Sequence, residues 1–335
     1  MYKCHASSKV AARSGLFFAL AALLVVPAPL AKAQKAVFSG VDRIVAVGDV
    51  HGDLAAFMEV LRAAKVVDSS GKWIGGKTNL VQIGDLPDRG PDTRKVIELL
   101  QNLEKQAKKA GGAIHVLIGN HDAMNMYGDL RYTTAAEFAE FKSDKSAELR
   151  DAFYQQLLEQ KKPADPAAFK AKFDKETPLG WVEHRQAWEP KGPIGRWTAS
   201  HPAVLKINDT LFVHAGLSPR MAALTIEEIN KSVRTELLEP AKLQGGLAMA
   251  EDGPLWWRGI AQGPEEPMSA HVDTLLKNFG VARIVIGHTP TKAAIKPRFG
   301  GRVVDIDVGL SQSYSGPKDC LIIEGSQVST LLGMR

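Results

Sequence analysis

Five short apolar runs in this chain end in the same way, in glycine and polar side chains that can bind metals. Each run is four to six residues long and rich in valine, isoleucine or leucine, which is typical of a buried strand. The segments are RIVAVGDVHGD (residues 43–53), LVQIGDLPDRG (80–90), IHVLIGNHD (114–122), LFVHAGLSP (211–219) and RIVIGHTP (283–290). This repetition restricts the chain to folds that bring several strand ends together.

Helical periodicity separates the first of these strands, over residues 54–67 and again over residues 92–110. Strand–helix–strand alternation favours an α/β fold with a mostly parallel sheet, in which functional groups gather beyond the carboxyl ends of the strands. The C-terminal runs RVVDIDVG, KDCLIIEG and QVSTLLG predict antiparallel strands joined by short turns. We therefore expect a second sheet packed on the first.

Residues 133–190 separate the third strand motif from the fourth. This stretch is charged and carries apolar residues at helical spacing, which indicates amphipathic helices. We expect it to form a helical insertion or cap over the site, within a single domain of residues 34–335.

The first 33 residues predict a secretory signal peptide. Their start is basic, residues 15–26 form an apolar run too short to span a bilayer comfortably, and Ala31-Lys32-Ala33 has the small-x-small pattern of a cleavage site. We expect cleavage after Ala33, a periplasmic or secreted protein, and no stable membrane insertion. An uncleaved membrane anchor is the alternative.

The net charge gives no support for nucleic-acid binding. The predicted signal peptide holds four of the 42 basic residues and no acidic residue, so the mature chain carries 38 basic against 37 acidic residues. A protein so close to neutrality lacks the excess of basic residues that nucleic-acid partners select. The sequence carries no signal for a particular oligomeric state.

Six potential metal ligands follow the five predicted strands. A lone histidine or aspartate after a strand is usually a turn or capping residue, but a set of this size indicates a shared site. The six are Asp49, His51, Asp85, Asn120, His214 and His288. Mixed carboxylate, imidazole and amide ligands suit Mn, Fe or Zn better than Ca. Because the set exceeds the four protein ligands of a simple zinc site, we expect two ions bridged by a carboxylate such as Asp85.

Two bridged ions suit phosphoryl transfer, because they hold a hydroxide for in-line attack and clamp the phosphoryl group. Arg89 lies beside the ligands in sequence and can grip phosphate oxygens. His121 follows the ligand Asn120, so we expect its ring to face the substrate, to be held by Asp88, and to protonate the leaving group. The sequence contains no serine or cysteine nucleophile motif, in accord with attack by a hydroxide.

These segments resemble the metal-dependent phosphoprotein phosphatases, a family of calcineurin-like metallophosphoesterases. GDVHG, GDLPDRG, GNHD and VHAGLSP resemble the family blocks GDxHG, GDxxDRG, GNH[DE] and HGGLSP in the same order, and IGHTP supplies the last histidine. The resemblance covers residues 43–314. It implies an α/β fold, a β-sandwich of two mixed sheets flanked by helices.

The resemblance also implies roles for the strand-end residues. The first metal would be held by Asp49, His51 and Asp85, and the second by Asp85, Asn120, His214 and His288. His121 with Asp88 matches the proton-donor pair of the family. Contacts to the substrate phosphate are implied for Arg89, Asn120 and Arg258.

The segments MNMYGDLRY, PLWWRG and IGHTP narrow the resemblance to the Shewanella-like protein phosphatases, whose members tend to prefer phosphotyrosine. This implies a phosphorylated protein or peptide as substrate, with phosphotyrosine favoured over phosphoserine and phosphothreonine. One departure is Asp122, where this branch usually has glutamate and the diadenosine tetraphosphatases have aspartate. The nearest alternative is therefore a dinucleoside polyphosphate hydrolase with the same metals. A separate alternative, of another class, is a non-catalytic phosphate-binding module on a degenerate enzyme fold.

Overall fold

The computed structural model describes residues 33–333 and places eleven strands among them, in two mixed sheets. The strands are β1 (Val37–Phe38), β2 (Arg43–Val47), β3 (Asn79–Gln82), β4 (Ala113–Val116), β5 (Val204–Ile207), β6 (Thr210–Val213), β7 (Arg283–Ile286), β8 (Lys296–Arg298), β9 (Val303–Asp305), β10 (Leu321–Glu324) and β11 (Gln327–Thr330). One sheet has the order β1-β5-β6-β7-β9-β8, and the other has the order β11-β10-β2-β3-β4. The predicted signal peptide lies outside the described residues, apart from Ala33.

Helices flank the two sheets. They are α1 (Leu54–Ala63), α2 (Thr93–Lys109), α3 (Asn120–Tyr127), α4 (Ala135–Glu140), α5 (Ser146–Lys161), α6 (Pro166–Glu176), α7 (Trp181–Trp188), α8 (Pro193–Ser200), α9 (Ile226–Leu238), α10 (Gly259–Gln262) and α11 (Glu265–Phe279). Over residues 33–333, none of these helices combines the length and the apolar character that a bilayer span requires. The α/β fold of two mixed sheets flanked by helices, predicted from the sequence, is confirmed.

The strands that carry the polar motifs are parallel within each sheet. Strands β2, β3 and β4 run parallel in the five-stranded sheet, and β6, β7 and β9 run parallel in the six-stranded sheet. Their side chains are almost all buried, as expected for parallel strands covered on both faces. The polar residues that follow these strands therefore emerge from a rigid core.

The C-terminal strands differ from the prediction of one antiparallel sheet. Strand β9 pairs in parallel with β7, while β10 and β11 form an antiparallel hairpin that pairs with β2 in the other sheet. All three residues of β9 are buried, which suits an interior strand, whereas β11 is half exposed and forms an edge. The sheet to which each C-terminal strand belongs is set by partners far away in the chain, β7 for β9 and β2 for β10, and the local sequence pattern of a strand does not reveal its partner.

Helices α4 to α8 follow one another between α3 and β5. Helices α5, α6 and α7 enclose a small apolar core of their own, formed by Phe153, Tyr154, Leu157, Phe173 and Val182. This cluster is separate from the main core between the sheets and their flanking helices. The predicted cap role of residues 133–190 stays a prediction, and the run of helices continues to Ser200.

Candidate metal centre

The six predicted ligands meet where the strands of both sheets end. Asp49 and His51 follow β2, Asp85 follows β3, Asn120 opens α3 after β4, His214 follows β6, and His288 follows β7. None of these side chains is more than 5% exposed. The five-stranded sheet thus supplies four of the ligands and the six-stranded sheet supplies two.

Within residues 33–333, two groups of side chains could each hold a metal ion, and Asp85 is common to both. The groups are His51, Asp85 and His121, and Asp85, His214 and His288, with the ligand atoms of each group within 4.8 Å of one another. His51 Nε2 lies 3.8 Å from Asp85 Oδ2, and His214 Nε2 lies 3.3 Å from Asp85 Oδ1. Asn120 Oδ1 joins the second group, 3.0 Å from His214 Nε2.

Backbone carbonyl groups orient three of the imidazole rings. The contacts are His51 Nδ1 to Pro87 O (3.1 Å), His214 Nδ1 to Ile83 O (2.9 Å) and His288 Nε2 to Trp256 O (3.2 Å). A ring nitrogen that donates to a carbonyl fixes the tautomer and leaves the other nitrogen as the metal ligand. This arrangement fits metal-binding histidines.

The backbone of the site is held in a sparsely populated conformation. Five non-glycine residues have a positive φ: His51 (47°), Asp85 (57°), Asp88 (72°), Arg89 (66°) and His288 (67°). Such residues cost roughly 1–3 kcal/mol each and cluster at functional sites, where the surrounding structure holds them in place. The residues with a strained backbone therefore lie at the same strand ends as the predicted ligands.

Two motif glycines allow the close packing behind the ligands. A Cβ atom at Gly119 would lie 2.2 Å from Asp85 Oδ1, and one at Gly287 would lie 2.6 Å from Asp49 Oδ1. No side chain fits at either position, so glycine is required there by space rather than by conformation.

The charges at the centre suit bound cations. Burial, and then the carboxylates of Asp307 and Asp85, raise the pKa of Asp49 well above its usual range. Burial would raise the pKa of Asp85 too, but His214 and His121 outweigh it and hold that pKa well below its usual range. Burial lowers the pKa of His51 to about 4, so its ring is neutral and able to bind a metal. A crowded set of buried carboxylates beside the neutral ring of His51 fits divalent metal ions.

Sequence reasoning missed Asp307, which lies beside Asp49. It is 2% exposed, and its Oδ1 accepts a hydrogen bond from Gly309 N (3.0 Å). Burial raises its pKa to about 6. A signal was present, since Asp307 follows β9 and precedes a glycine in DIDVG, much as the ligands end the other strands.

His121 forms a tight pair with Asp88. His121 Nδ1 lies 2.5 Å from Asp88 Oδ2, while Asn125 Nδ2 (3.2 Å) and Thr133 Oγ1 (2.8 Å) donate to the other oxygen of Asp88. Burial would lower the pKa of His121, but Asp85 and Asp88 outweigh it and raise that pKa. The geometry suits a histidine that carries a proton.

Arg89 lies between two tyrosine rings. Its guanidinium carbon is 4.7 Å from the centre of Tyr132 and 5.0 Å from the centre of Tyr314. Within the described residues, Arg89 Nε is buried without a hydrogen-bond partner. An anion beside the metal centre would satisfy it. The two tyrosines were not among the predicted site residues.

Two further predicted residues have supporting contacts. Arg258 Nη1 donates to His288 O (2.6 Å) and to Thr289 Oγ1 (3.0 Å), so it braces the turn that carries the last histidine. Asp122 Oδ2 accepts from Asp85 N and Gly119 N, both at 2.8 Å. Asp122, at a position where glutamate is usual, thus anchors the backbone of Asp85 and Gly119 beneath the candidate metal centre.

Comparison with known proteins identifies the family. Residues 42–292 match the model of the calcineurin-like phosphoesterases. The chain belongs to this family. An uncharacterized protein of Schizosaccharomyces pombe is 33% identical over 86% of this chain and 79% of its own length. Shewanella-like protein phosphatase 2 of Arabidopsis thaliana is 31% identical over 82% of this chain and 73% of its own length.

A solved structure extends this similarity. The cold-active protein-tyrosine phosphatase of a psychrophile Shewanella sp. has 26% identity and a TM-score of 0.68, over 89% of this chain and 80% of that chain. Family, relatives and site agree on the class of enzyme: the protein is a metal-dependent phosphatase, a hydrolase of phosphoric esters. The fold implies divalent metal ions, and the two groups that share Asp85 are their candidate sites.

Proposed function

We propose that this phosphatase is a phosphomonoesterase with two metal ions, acting on phosphorylated proteins or peptides with phosphotyrosine favoured. The observation that carries the proposal is that Asp85 is shared by two ligand groups, and that His121, in the first of them, is paired through Nδ1 with Asp88. When bound, two ions would supply Lewis acidity and generate a nucleophile from water at neutral pH. Mn, Fe and Zn all suit the donor set.

The residues around the metal centre bind the phosphate and supply the proton for the leaving group. Arg89, with an unpartnered Nε, binds the phosphate oxygens as a fixed cation. His121 holds a proton on the ring and gives it to the leaving oxygen, while Asp88 keeps the ring oriented. We place Asn120 and Arg258 at the phosphate as secondary contacts.

Three observations support phosphotyrosine. Tyr132 and Tyr314 flank Arg89, so a phosphate held there lies among aromatic rings that can stack on a phenyl ester. Tyr132 is 39% exposed, which leaves a face open to a substrate. A similar solved structure is that of a protein-tyrosine phosphatase.

We further propose that the protein is exported to the periplasm or secreted, as the sequence pattern of residues 1–33 predicts. Detection of a mature form that starts at Gln34, by N-terminal sequencing, would support this. A full-length protein in the cell interior would contradict it.

The substrate test uses metal-stripped protein and single additions of Mn, Fe or Zn. Phosphotyrosine peptide, phosphoserine peptide and diadenosine tetraphosphate are assayed at matched concentrations. We expect hydrolysis that depends on metal and is fastest for the phosphotyrosine peptide. Faster cleavage of the dinucleotide would support the proposed metal centre but identify the dinucleotide as the better substrate. Activity that is lost on metal removal and is not recovered with any of the three metals would contradict the proposed mechanism.

A further inference from the structure

A buried acid and a buried imidazole lie behind the proton-donor pair, and neither has a role in the proposed function. Glu137 is on α4 and His184 is on α7, and both are fully buried. Glu137 Oε1 lies 3.9 Å from His184 Nε2. Neither ring nitrogen of His184 has a hydrogen-bond partner in the described chain. Polar groups in such a place are unusual and call for an explanation.

Apolar rings close this pocket from the other side. His184 packs against Phe138 and Phe141, with ring centres 5.1 and 4.8 Å apart, and near Trp188 at 6.2 Å. An apolar pair would fill such a space at lower cost than an acid and an imidazole. A role for Glu137 must therefore be sought in the group that its carboxyl contacts.

That group is the backbone of Asp88. Asp88 N lies 3.5 Å from Glu137 Oε1. Asp88 and Arg89 are consecutive non-glycine residues with φ of 72° and 66°, in the left-handed region. Two such residues in a row persist only where neighbouring groups hold them.

Four of the contacts to this segment come from residues 132–137. Tyr132 O accepts from Arg89 N (3.1 Å), and the ring of Tyr132 lies against the Arg89 guanidinium. Thr133 Oγ1 donates to Asp88 Oδ1 (2.8 Å), and Glu137 Oε1 faces Asp88 N. The start of the helical region therefore contacts both the proton-donor pair and the phosphate-binding arginine.

We infer that Glu137 is a positioning residue, which fixes Asp88 and Arg89 in their working conformation and so joins the α4–α7 helices to catalysis. This rests on the roles proposed above for Arg89 and for the His121–Asp88 pair. Burial, and then the charge of Asp88, raise the pKa of Glu137 well above its usual range. A neutral carboxyl keeps its acceptor oxygen without a negative charge next to Asp88, so glutamine should replace it.

The test compares Glu137→Ala with Glu137→Gln. Glu140→Gln is the matched control, since Glu140 lies on the same helix but pairs with Lys95 (2.6 Å) away from the site. We expect Glu137→Ala to keep its metal content, because no ligand is on α4. Its kcat on an alkyl phosphate should fall by on the order of 10- to 100-fold, because a small misplacement of catalytic groups has effects of this size. Inhibition by inorganic phosphate should weaken with it.

Rescue by the conservative variant separates positioning from general damage. Glu137→Gln and Glu140→Gln should both keep kcat and phosphate inhibition within about twofold of the parent protein. If Glu137→Ala does not fold, Thr133→Val provides the second variant, since it removes only the hydroxyl that holds Asp88. Like Glu137→Ala, it should lower kcat and weaken inhibition by inorganic phosphate.

The two proposals fail in different ways. Folded, metal-loaded Glu137→Ala or Thr133→Val with parental kcat and phosphate inhibition would overturn the positioning role alone. A parent protein that shows no metal-dependent phosphomonoesterase activity would overturn the proposed function itself.

Discussion

Asp85 is the side chain on which the whole centre depends, because its two oxygens face different groups of ligands. Oδ1 faces His214 at 3.3 Å, and Oδ2 faces His51 at 3.8 Å. The backbone holds it there at a positive φ, and Asp122 accepts from its N–H. The sequence could identify Asp85 as a candidate bridge, since it follows a predicted strand in a motif of ligand-type residues.

Asp85→Asn is predicted to weaken both metal sites at once. An amide carries no charge and offers one donor oxygen in place of two, so it cannot bridge the two groups and binds either ion more weakly. We expect metal content, measured by atomic absorption after dialysis, to fall at both sites and activity to fall by more than about 100-fold. Asp252→Asn, at a surface aspartate 3.4 Å from Arg220, is the control and should change neither quantity. Full metal content in Asp85→Asn would rule out the bridge.

His121→Asn is predicted to keep the metals and to slow only the reactions that need a proton donor. His121 lies in the first candidate group, but its Nδ1 pairs with Asp88, and loss of its ring leaves Asp49, His51, Asp85 and the other predicted ligands in place. We expect a decrease of on the order of 10²–10⁴ for an alkyl phosphate and a much smaller one for p-nitrophenyl phosphate, whose leaving group needs no proton. Equal losses for the two esters would argue against the acid role.

The elements most visible in the sequence are those whose signal is local. Residues 80–90 and 114–122 show a buried run that stops at glycine, and the structure ends β3 and β4 there. The sequence did not reveal Asp307 because its run predicts a hairpin strand, whereas β9, which precedes it, pairs in parallel with β7 and in antiparallel with β8 inside the six-stranded sheet. Glu137 was missed for the same physical reason. Its role comes from its contact with Asp88, 49 residues away in the chain, which no local pattern encodes.

Gly119→Ala tests the junction between β4 and α3. The added Cβ would lie 2.2 Å from Asp85 Oδ1 and 2.3 Å from Asp85 N, so the helix start must move away from the metal centre. We expect a loss of about 1–3 kcal/mol in the free energy of unfolding, and reduced metal content. Ala123→Gly, on the same helix, removes a methyl group, should cost about 1 kcal/mol, and should leave the metals in place. Parental metal content in Gly119→Ala would show that this packing is dispensable.

At the scale of the whole molecule, the metal centre joins the two sheets. Asp49, Asp85 and Asn120 follow strands of the five-stranded sheet, while His214 and His288 follow strands of the six-stranded sheet. A metal bound by these residues would therefore stabilise the relative position of the sheets, and we expect metal binding to be coupled to folding. The same junction explains why single strands in the sequence reveal the ligands but do not reveal which sheet each belongs to.

Buried histidines away from the metal centre, among them His201 and His115, should make the folded protein sensitive to acid. Burial lowers the pKa of His201 to about 3 and that of His115 to about 4, from 6.5. His115 Nε2 contacts Asn79 Oδ1 at 2.7 Å, and His201 packs edge-on against Trp197 with ring centres 4.4 Å apart. Below pH 6.5 both rings become protonated in the unfolded chain. In the folded chain they stay neutral until the pH approaches 4 for His115 and 3 for His201.

Stability should consequently be complete above pH 6.5 and decline as the pH falls toward 4 and then 3. Each ring should contribute a loss of roughly 1–2 kcal/mol between pH 7 and pH 5. The measurement is urea unfolding of the metal-free protein at several pH values, for the parent protein and for His201→Gln. The variant has no titrating ring at this position, so its unfolding free energy should fall less steeply with acid, whatever its stability at pH 7. Identical slopes would mean that the ring at position 201 is protonated equally in the folded and unfolded states.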